Sequence, residues 1–117
     1  MPNSTSIENW MEAFKTAWLA KDIAAVFELL SEDVEYWETP FEKLGKGKML
    51  WSYWEEILPL QNMWFDYDIF VADTESGRYG VRWEFAHDDG EAAGCYLIEL
   101  DGRGKCTYFF HSAQPRE

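Results

Sequence analysis

The chain is poor in the residues that build metal centres and disulfide frameworks. Its 117 residues include two cysteines and two histidines, scattered without the close ligand spacing of a zinc site, so no metal is expected. Basic residues are also few: ten Lys and Arg stand against 22 Asp and Glu, a net charge of −12. That balance excludes nucleic acid and anionic membranes as expected partners, because their phosphates call for cations. No apolar run approaches the roughly 20 residues that span a bilayer. The opening Met-Pro-Asn-Ser-Thr-Ser lacks the basic and apolar segments of a signal peptide, and a cytoplasmic location is the expectation. Phosphate-cradling glycine loops and nucleophile motifs are absent, so no cofactor is expected.

Aromatic residues, by contrast, are plentiful. Seven Trp, six Tyr and eight Phe in a chain of this length are enough to fill one core, and the expectation is a single domain over residues 1–117. Rings of this kind also line pockets for flat apolar ligands.

The first half reads as helical. Thr5 and Glu8 have the spacing of a capping box, and Ile7, Trp10, Met11, Phe14, Ala17 and Trp18 recur at the i, i+3, i+4, i+7 spacing of one apolar helix face. Asp22 is placed to cap a second short helix with Ile23, Val26, Phe27 and Leu30 inward. A strand over 34–39 ends at Pro40, which removes a ladder donor. After a Gly/Lys-rich turn, 46–58 reads as a third helix stopped by Pro59.

The second half reads as four strands, 63–73, 78–87, 91–101 and 105–113, joined as an antiparallel meander. Taking Asp88-Asp89-Gly90 as a three-residue loop pairs Glu84 with Gly94. The Asp101–Gly104 turn then pairs Gly94 with His111, and a four-residue loop at Thr74–Gly77 pairs Tyr67 with Glu84. The count places Tyr67, Glu84, Gly94 and His111 in one row, with the glycine as a pocket floor between an acid and an imidazole. Alternation assigns Phe65, Tyr67, Ile69, Val71, Arg82, Glu84, Tyr96, Phe109 and His111 to the inner face, and Trp83, Phe85, Leu97, Tyr108 and Phe110 to the outer one. So much apolar area outside predicts a homodimer through the sheet.

Helix, helix, strand, helix and four strands make an α+β domain of a curved antiparallel sheet packed against three N-terminal helices. Ala20-Lys21-Asp22, the run Leu29–Val34 leading to Glu38-Thr39-Pro40, the helix after Gly45-Lys46-Gly47 and the Asp101–Lys105 hairpin together resemble the nuclear transport factor two-like superfamily, in its polyketide cyclase (SnoaL-like) branch. The resemblance covers nearly the whole chain. It implies a cone-like form enclosing a pocket, dimerisation through the sheet and an activity among ketosteroid isomerases, epoxide hydrolases and polyketide cyclases, although fold alone does not choose among these. The isomerase pattern would put a tyrosine near Phe14, an aspartate near Thr39 and another near Tyr96, and this chain differs at all three. Arg82-Trp83-Glu84 resembles the Arg-x-Asp of limonene epoxide hydrolases, and His111 stands where relatives keep a last-strand acid or base.

The functional expectation is a small-molecule-binding domain for an apolar or aromatic ligand. Its candidate catalytic residues are His111, Glu84 and Arg82, and its candidate walls are Phe14, Trp18, Tyr36, Trp37, Thr39, Trp54, Tyr67, Tyr96 and Phe109. A cofactor-free cyclase, isomerase or hydrolase would use His111 and Glu84 in proton transfer. The alternative is a non-catalytic binding or dimerisation module whose pocket is filled by its own aromatic side chains.

Overall fold

The computed structural model describes residues 4–116, with the side chains of 4–6 outside the description. The Thr5 half of the expected capping box therefore falls outside the described residues. Helix α1 runs Ser4–Leu19 and α2 runs Ile23–Glu28. Strand β1 (Leu30–Thr39) turns back into the short β2 (Glu42–Leu44), and α3 (Lys48–Trp54) continues into one 3-10 turn, Glu55–Ile57. Strands β3 (Trp64–Asp73), β4 (Arg78–His87), β5 (Gly90–Leu100) and β6 (Cys106–Pro115) complete the chain.

The six strands form one curved, unclosed sheet in the order β2-β1-β6-β5-β4-β3. It is mixed, which corrects the expected all-antiparallel sheet: β1 lies parallel to β6, with Tyr36 opposite Phe109 and Trp37 opposite Phe110. A parallel neighbour follows because α3 and the meander separate the two strands in sequence, and no tight hairpin joins them.

Every apolar residue expected on the face of α1, from Ile7 to Trp18, is buried against the inner face of the sheet. Phe14 stands at the centre, with the rings of Trp10, Trp18, Trp54, Phe65, Tyr96 and Phe109 at centroid distances from 5.1 to 6.3 Å. At 150–250 Å² per buried ring, such a cluster supplies much of the hydrophobic stabilisation. Asp22 caps α2 as its position suggests, accepting from Ala25 N at 3.1 Å. The neighbouring Lys21, at φ +58°, sends Nζ to the Leu58 carbonyl at 2.8 Å and so ties the α1–α2 turn to the end of the 3-10 turn.

The strand registers correct the row expected from the sequence. The β4–β5 loop has two residues, Asp88 and Asp89, with His87 opposite Gly90, so Glu84 faces Ala93 and Trp83 faces Gly94. The loop glycine is not the left-handed residue expected there; among the glycines only Gly77 and Gly104 have positive φ. The four-residue loop before β4 holds, with Asp73 opposite Arg78, but a bulge between Ile69 and Val71 shifts the rest of the ladder and sets Tyr67 against Trp83. The last turn is a five-residue loop, with Leu100 opposite Cys106, and a bulge between Glu99 and Leu100 adds a second residue of shift, so that Tyr96 faces His111 and Gly94 faces Ala113.

A slip of one residue inverts a strand's faces. Tyr79, Val81, Trp83 and Phe85 are therefore buried, while Arg82 and Glu84 are exposed on the outer face. Val71, beyond its bulge, is 53% exposed rather than inward. Gly94 lines a concavity with Tyr67, Arg82 and Glu84 but does not lie between an acid and His111; a Cβ there would lie 1.8 Å from the Ser112 carbonyl oxygen, so the glycine permits close backbone approach. Cys95 now faces Ser112 and Cys106 faces Leu100, and both thiols are free.

Candidate functional site

A small cavity opens between α1, α3 and the inner face of the sheet. About 90 Å³ in volume, it is lined by Phe14 and Trp18 of α1, Tyr36 and Glu38 of β1, Tyr53 and Trp54 of α3, Ile57, Tyr96 of β5 and His111 of β6. Alternation along β1 delivers Tyr36 and Glu38 to the same side, and the parallel β1–β6 pairing brings Glu38 beside His111. This parallel pairing creates the site.

The imidazole is fixed by the backbone. His111 Nδ1 lies 2.9 Å from the Glu38 carbonyl oxygen. A carbonyl only accepts, so Nδ1 carries the proton and Nε2 keeps its lone pair. The ring stacks on Trp83 at 5.5 Å and tilts against Tyr96 at 5.6 Å. Burial pushes its pKa below the usual 6.5, partly offset by the bond to Glu38.

Glu38 moves the other way. Burial, then the nearby carboxylates of Glu56 and Glu42, raise its pKa from 4.5 to about 7. Its Oε1 stands 4.0 Å from His111 Nδ1, too far for a hydrogen bond, and with the imidazole neutral the contact is not an ion pair. Around neutrality the cavity thus holds a carboxyl that still keeps much of its proton beside an imidazole that has lost its own. The phenols of Tyr36 and Tyr96 are held well above their ordinary pKa, chiefly by burial, and remain donors. The Trp54 indole N–H offsets part of the rise at Tyr36, although no hydrogen bond of ordinary geometry satisfies it: Trp18 Nε1 and Trp54 Nε1 are both buried without a partner among the described residues. Tyr53, at the mouth, donates to Glu42 Oε1 at 2.7 Å.

Of the residues expected from sequence, Phe14, Trp18, Tyr36, Trp54, Tyr96 and His111 surround this cavity. Arg82 and Glu84 do not. They sit across the sheet with Asp66 and Asp68, because the β4 register differs by one residue, and the hydrolase-like pair is carried away from the cavity. Trp37 also faces outward, its ring tilted against Phe110 at 6.4 Å and its indole N–H donating to Glu35 Oε2 at 2.9 Å. Thr39 is exposed and accepts from Phe41 N. Tyr67 is half-buried and donates to Glu12 outside the cavity, and Phe109 lies beneath it, stacked on Tyr36 at 4.7 Å. Glu38, Tyr53 and Ile57 were not foreseen. Period-two alternation from Tyr36 would have found Glu38 once the facing of Tyr36 was known.

Among the described residues no group of three metal-ligating side chains converges, and no helix is long and apolar enough to cross a membrane. A larger concavity, about 630 Å³, lies on the outer face, with Phe70, Val71, Leu97 and Tyr108 among its walls; it does not contain the acid–imidazole pair.

No protein-family model and no curated protein matches the sequence. Solved structures do match in shape. A protein of unknown function with a cystatin-like fold from Methylobium petroleophilum PM1 is 13% identical over 99% of this chain and 79% of its own, with a TM-score of 0.76. An LEH-like epoxide hydrolase from M. tuberculosis is 19% identical over 97% of this chain and 86% of its own, TM-score 0.65. A steroid delta-isomerase from Pseudomonas aeruginosa is 14% identical over 98% and 84%, TM-score 0.70. Three helices on a curved, unclosed mixed sheet, matched over nearly the full chain, give this protein a cystatin-like fold.

Proposed function

We propose that the chain is a cofactor-free, small-molecule-binding domain that uses Glu38 and His111 for proton transfer on a compact substrate. The observation that carries this reading is the convergence of a proton-bearing carboxyl and a neutral imidazole in one aromatic cavity. Environments that push an acid up and a base down set the pair up for general acid–base work near neutrality. Nε2 of His111 is the base, Glu38 the acid, and the phenols of Tyr36 and Tyr96 donate to charge that develops on a substrate oxygen. The epoxide hydrolase and the steroid isomerase of like fold support chemistry without a cofactor. At about 90 Å³ the cavity is well below the roughly 300–1,000 Å³ of drug-sized ligand sites, so the substrate is compact rather than polycyclic.

The test is deuterium exchange at the α-carbon of acetone or cyclopentanone in D2O. Acceleration that disappears in His111→Ala and Glu38→Gln supports the reading. Exchange at the buffer rate, with the Trp18 and Trp54 indole signals unmoved by either ketone, contradicts it.

A second reading, a non-catalytic module, is favoured by how completely Phe14, Trp18 and Phe109 fill the interior. In either case the outer face is assigned to a second copy of the chain. Phe70 is 70% exposed and Leu97 48% in a wide apolar dish, the kind of surface that a monomer seldom leaves bare.

A further inference from the structure

The cavity's charge is one-sided. Glu38 lines it, Glu42 and Glu56 act on Glu38 from β2 and the 3-10 turn, and the remaining titratable groups that face it, Tyr36, Tyr53, Tyr96 and His111, bring no positive charge. No lysine or arginine lines the cavity. Glu38 keeps its proton because of burial first and the Glu56 and Glu42 carboxylates second, and no cationic side chain among the described residues lines the cavity to offset that charge. An anionic ligand would meet repulsion without compensation.

The walls point the same way. Six of the nine lining residues are aromatic: Phe14, Trp18, Tyr36, Tyr53, Trp54 and Tyr96. Aromatic rings attract cations through their quadrupole, and they suit alkylated ammonium groups, which are weakly hydrated, better than metal ions or ammonium itself, which need several oxygen ligands to replace their water. The volume of about 90 Å³ is about three waters' share of liquid, room for the head of a small organic cation. The phenol O–H groups of Tyr36 and Tyr96, donors in the cavity wall, add one more requirement. A buried donor left unpaired is costly, so a ligand that also offers an oxygen acceptor gains by meeting it.

We propose that the pocket selects a compact alkylammonium cation bearing a hydroxyl or carbonyl oxygen, with Glu38 as counter-ion and the Trp18, Trp54, Tyr36 and Tyr53 rings as its surround. The inference rests on the reading of this cavity as a small-molecule site, not on Glu38 as the acid, since Glu38 meets a cation as its carboxylate, and it names the class of molecule the cavity takes. Binding exchanges a ligand charge for the Glu38 proton, so the ligand and the proton compete.

The experiment titrates the protein with choline and with 3,3-dimethylbutan-1-ol, its neutral isostere, following the assigned Trp18 and Trp54 indole N–H signals by NMR. Choline is expected to bind at least about tenfold more tightly than the isostere at about pH 8, and about tenfold less tightly near pH 6 as Glu38 takes up its proton. Glu38→Gln is expected to fold, shown by an unchanged circular dichroism spectrum, and to lose the preference. Equal binding of choline and the isostere overturns the cation inference while leaving the pocket reading intact. Failure of both molecules to move either signal overturns both. A preference for choline that survives in Glu38→Gln also overturns the proposal, and the pH arm in the unaltered protein decides the matter if the variant does not fold.

Discussion

The two faces of the sheet use the same strands to opposite ends. On the inner face, β4 contributes Tyr79, Val81, Trp83 and Phe85 to a core of rings; on the outer face the residues between them, Arg82 and Glu84, stand in solvent with Asp66 and Asp68. Glu38 and Glu84 are both strand glutamates, yet Glu84 is exposed, whereas Glu38 lines an aromatic cavity, where burial first and the Glu56 and Glu42 carboxylates second raise its pKa to about 7. Surroundings, more than residue type, make a carboxyl chemically useful.

The comparison breaks most visibly at Phe14. Phe14→Ala should cost about 3–5 kcal/mol of stability in a urea titration, because it opens a cavity at the centre of the ring cluster; a loss under about 1 kcal/mol would mean that α1 is not seated on the sheet as described. Next in size is Glu38→Gln. A carboxyl whose pKa rises from 4.5 unfolded to about 7 folded favours the fold below pH 4.5 relative to higher pH, and that contribution is lost as pH climbs through 7. The glutamine variant should therefore match the parent near pH 4 and exceed it by about 1–3 kcal/mol at pH 8, measured as paired denaturation curves.

On the outer face, Leu97→Lys should shift sedimentation equilibrium toward monomer with little change in monomer stability; an unaltered association constant removes this face from the interface. Smallest of all, Arg82→Ala and Glu84→Gln should each stay within about 0.5 kcal/mol, as exposed substitutions usually do, and should leave the His111 titration where it was. A shift of the His111 resonance on Glu84→Gln would restore the row expected from the sequence.

Much of the fold was legible in the chain. The apolar spacing of α1, the Asp22 cap and the strands' existence follow from short-range rules, and the faces of β3, β5 and β6 followed from alternation at Tyr67, Tyr96 and His111. The site itself was half legible. Counting through turns fails where a bulge intervenes, and the two bulges at Ile69/Val71 and Glu99/Leu100 leave no mark in sequence. The buried alternation of Tyr79, Val81, Trp83 and Phe85 was a better guide to β4 than the Asp88-Asp89-Gly90 loop, since burying four large side chains outweighs the preference of one glycine. Glu38 stayed hidden because its place beside His111 depends on β1 lying parallel to β6, a pairing between segments some 70 residues apart.

The most direct test of the Glu38–His111 pair is an NMR titration of the His111 imidazole in the parent protein and in Glu38→Gln. The expected result is a histidine that protonates below pH 6.5, with a second inflection near pH 7 where Glu38 ionises beside it, and loss of that inflection in the variant. A single titration at the ordinary value of about 6.5, identical in both proteins, would contradict the pairing.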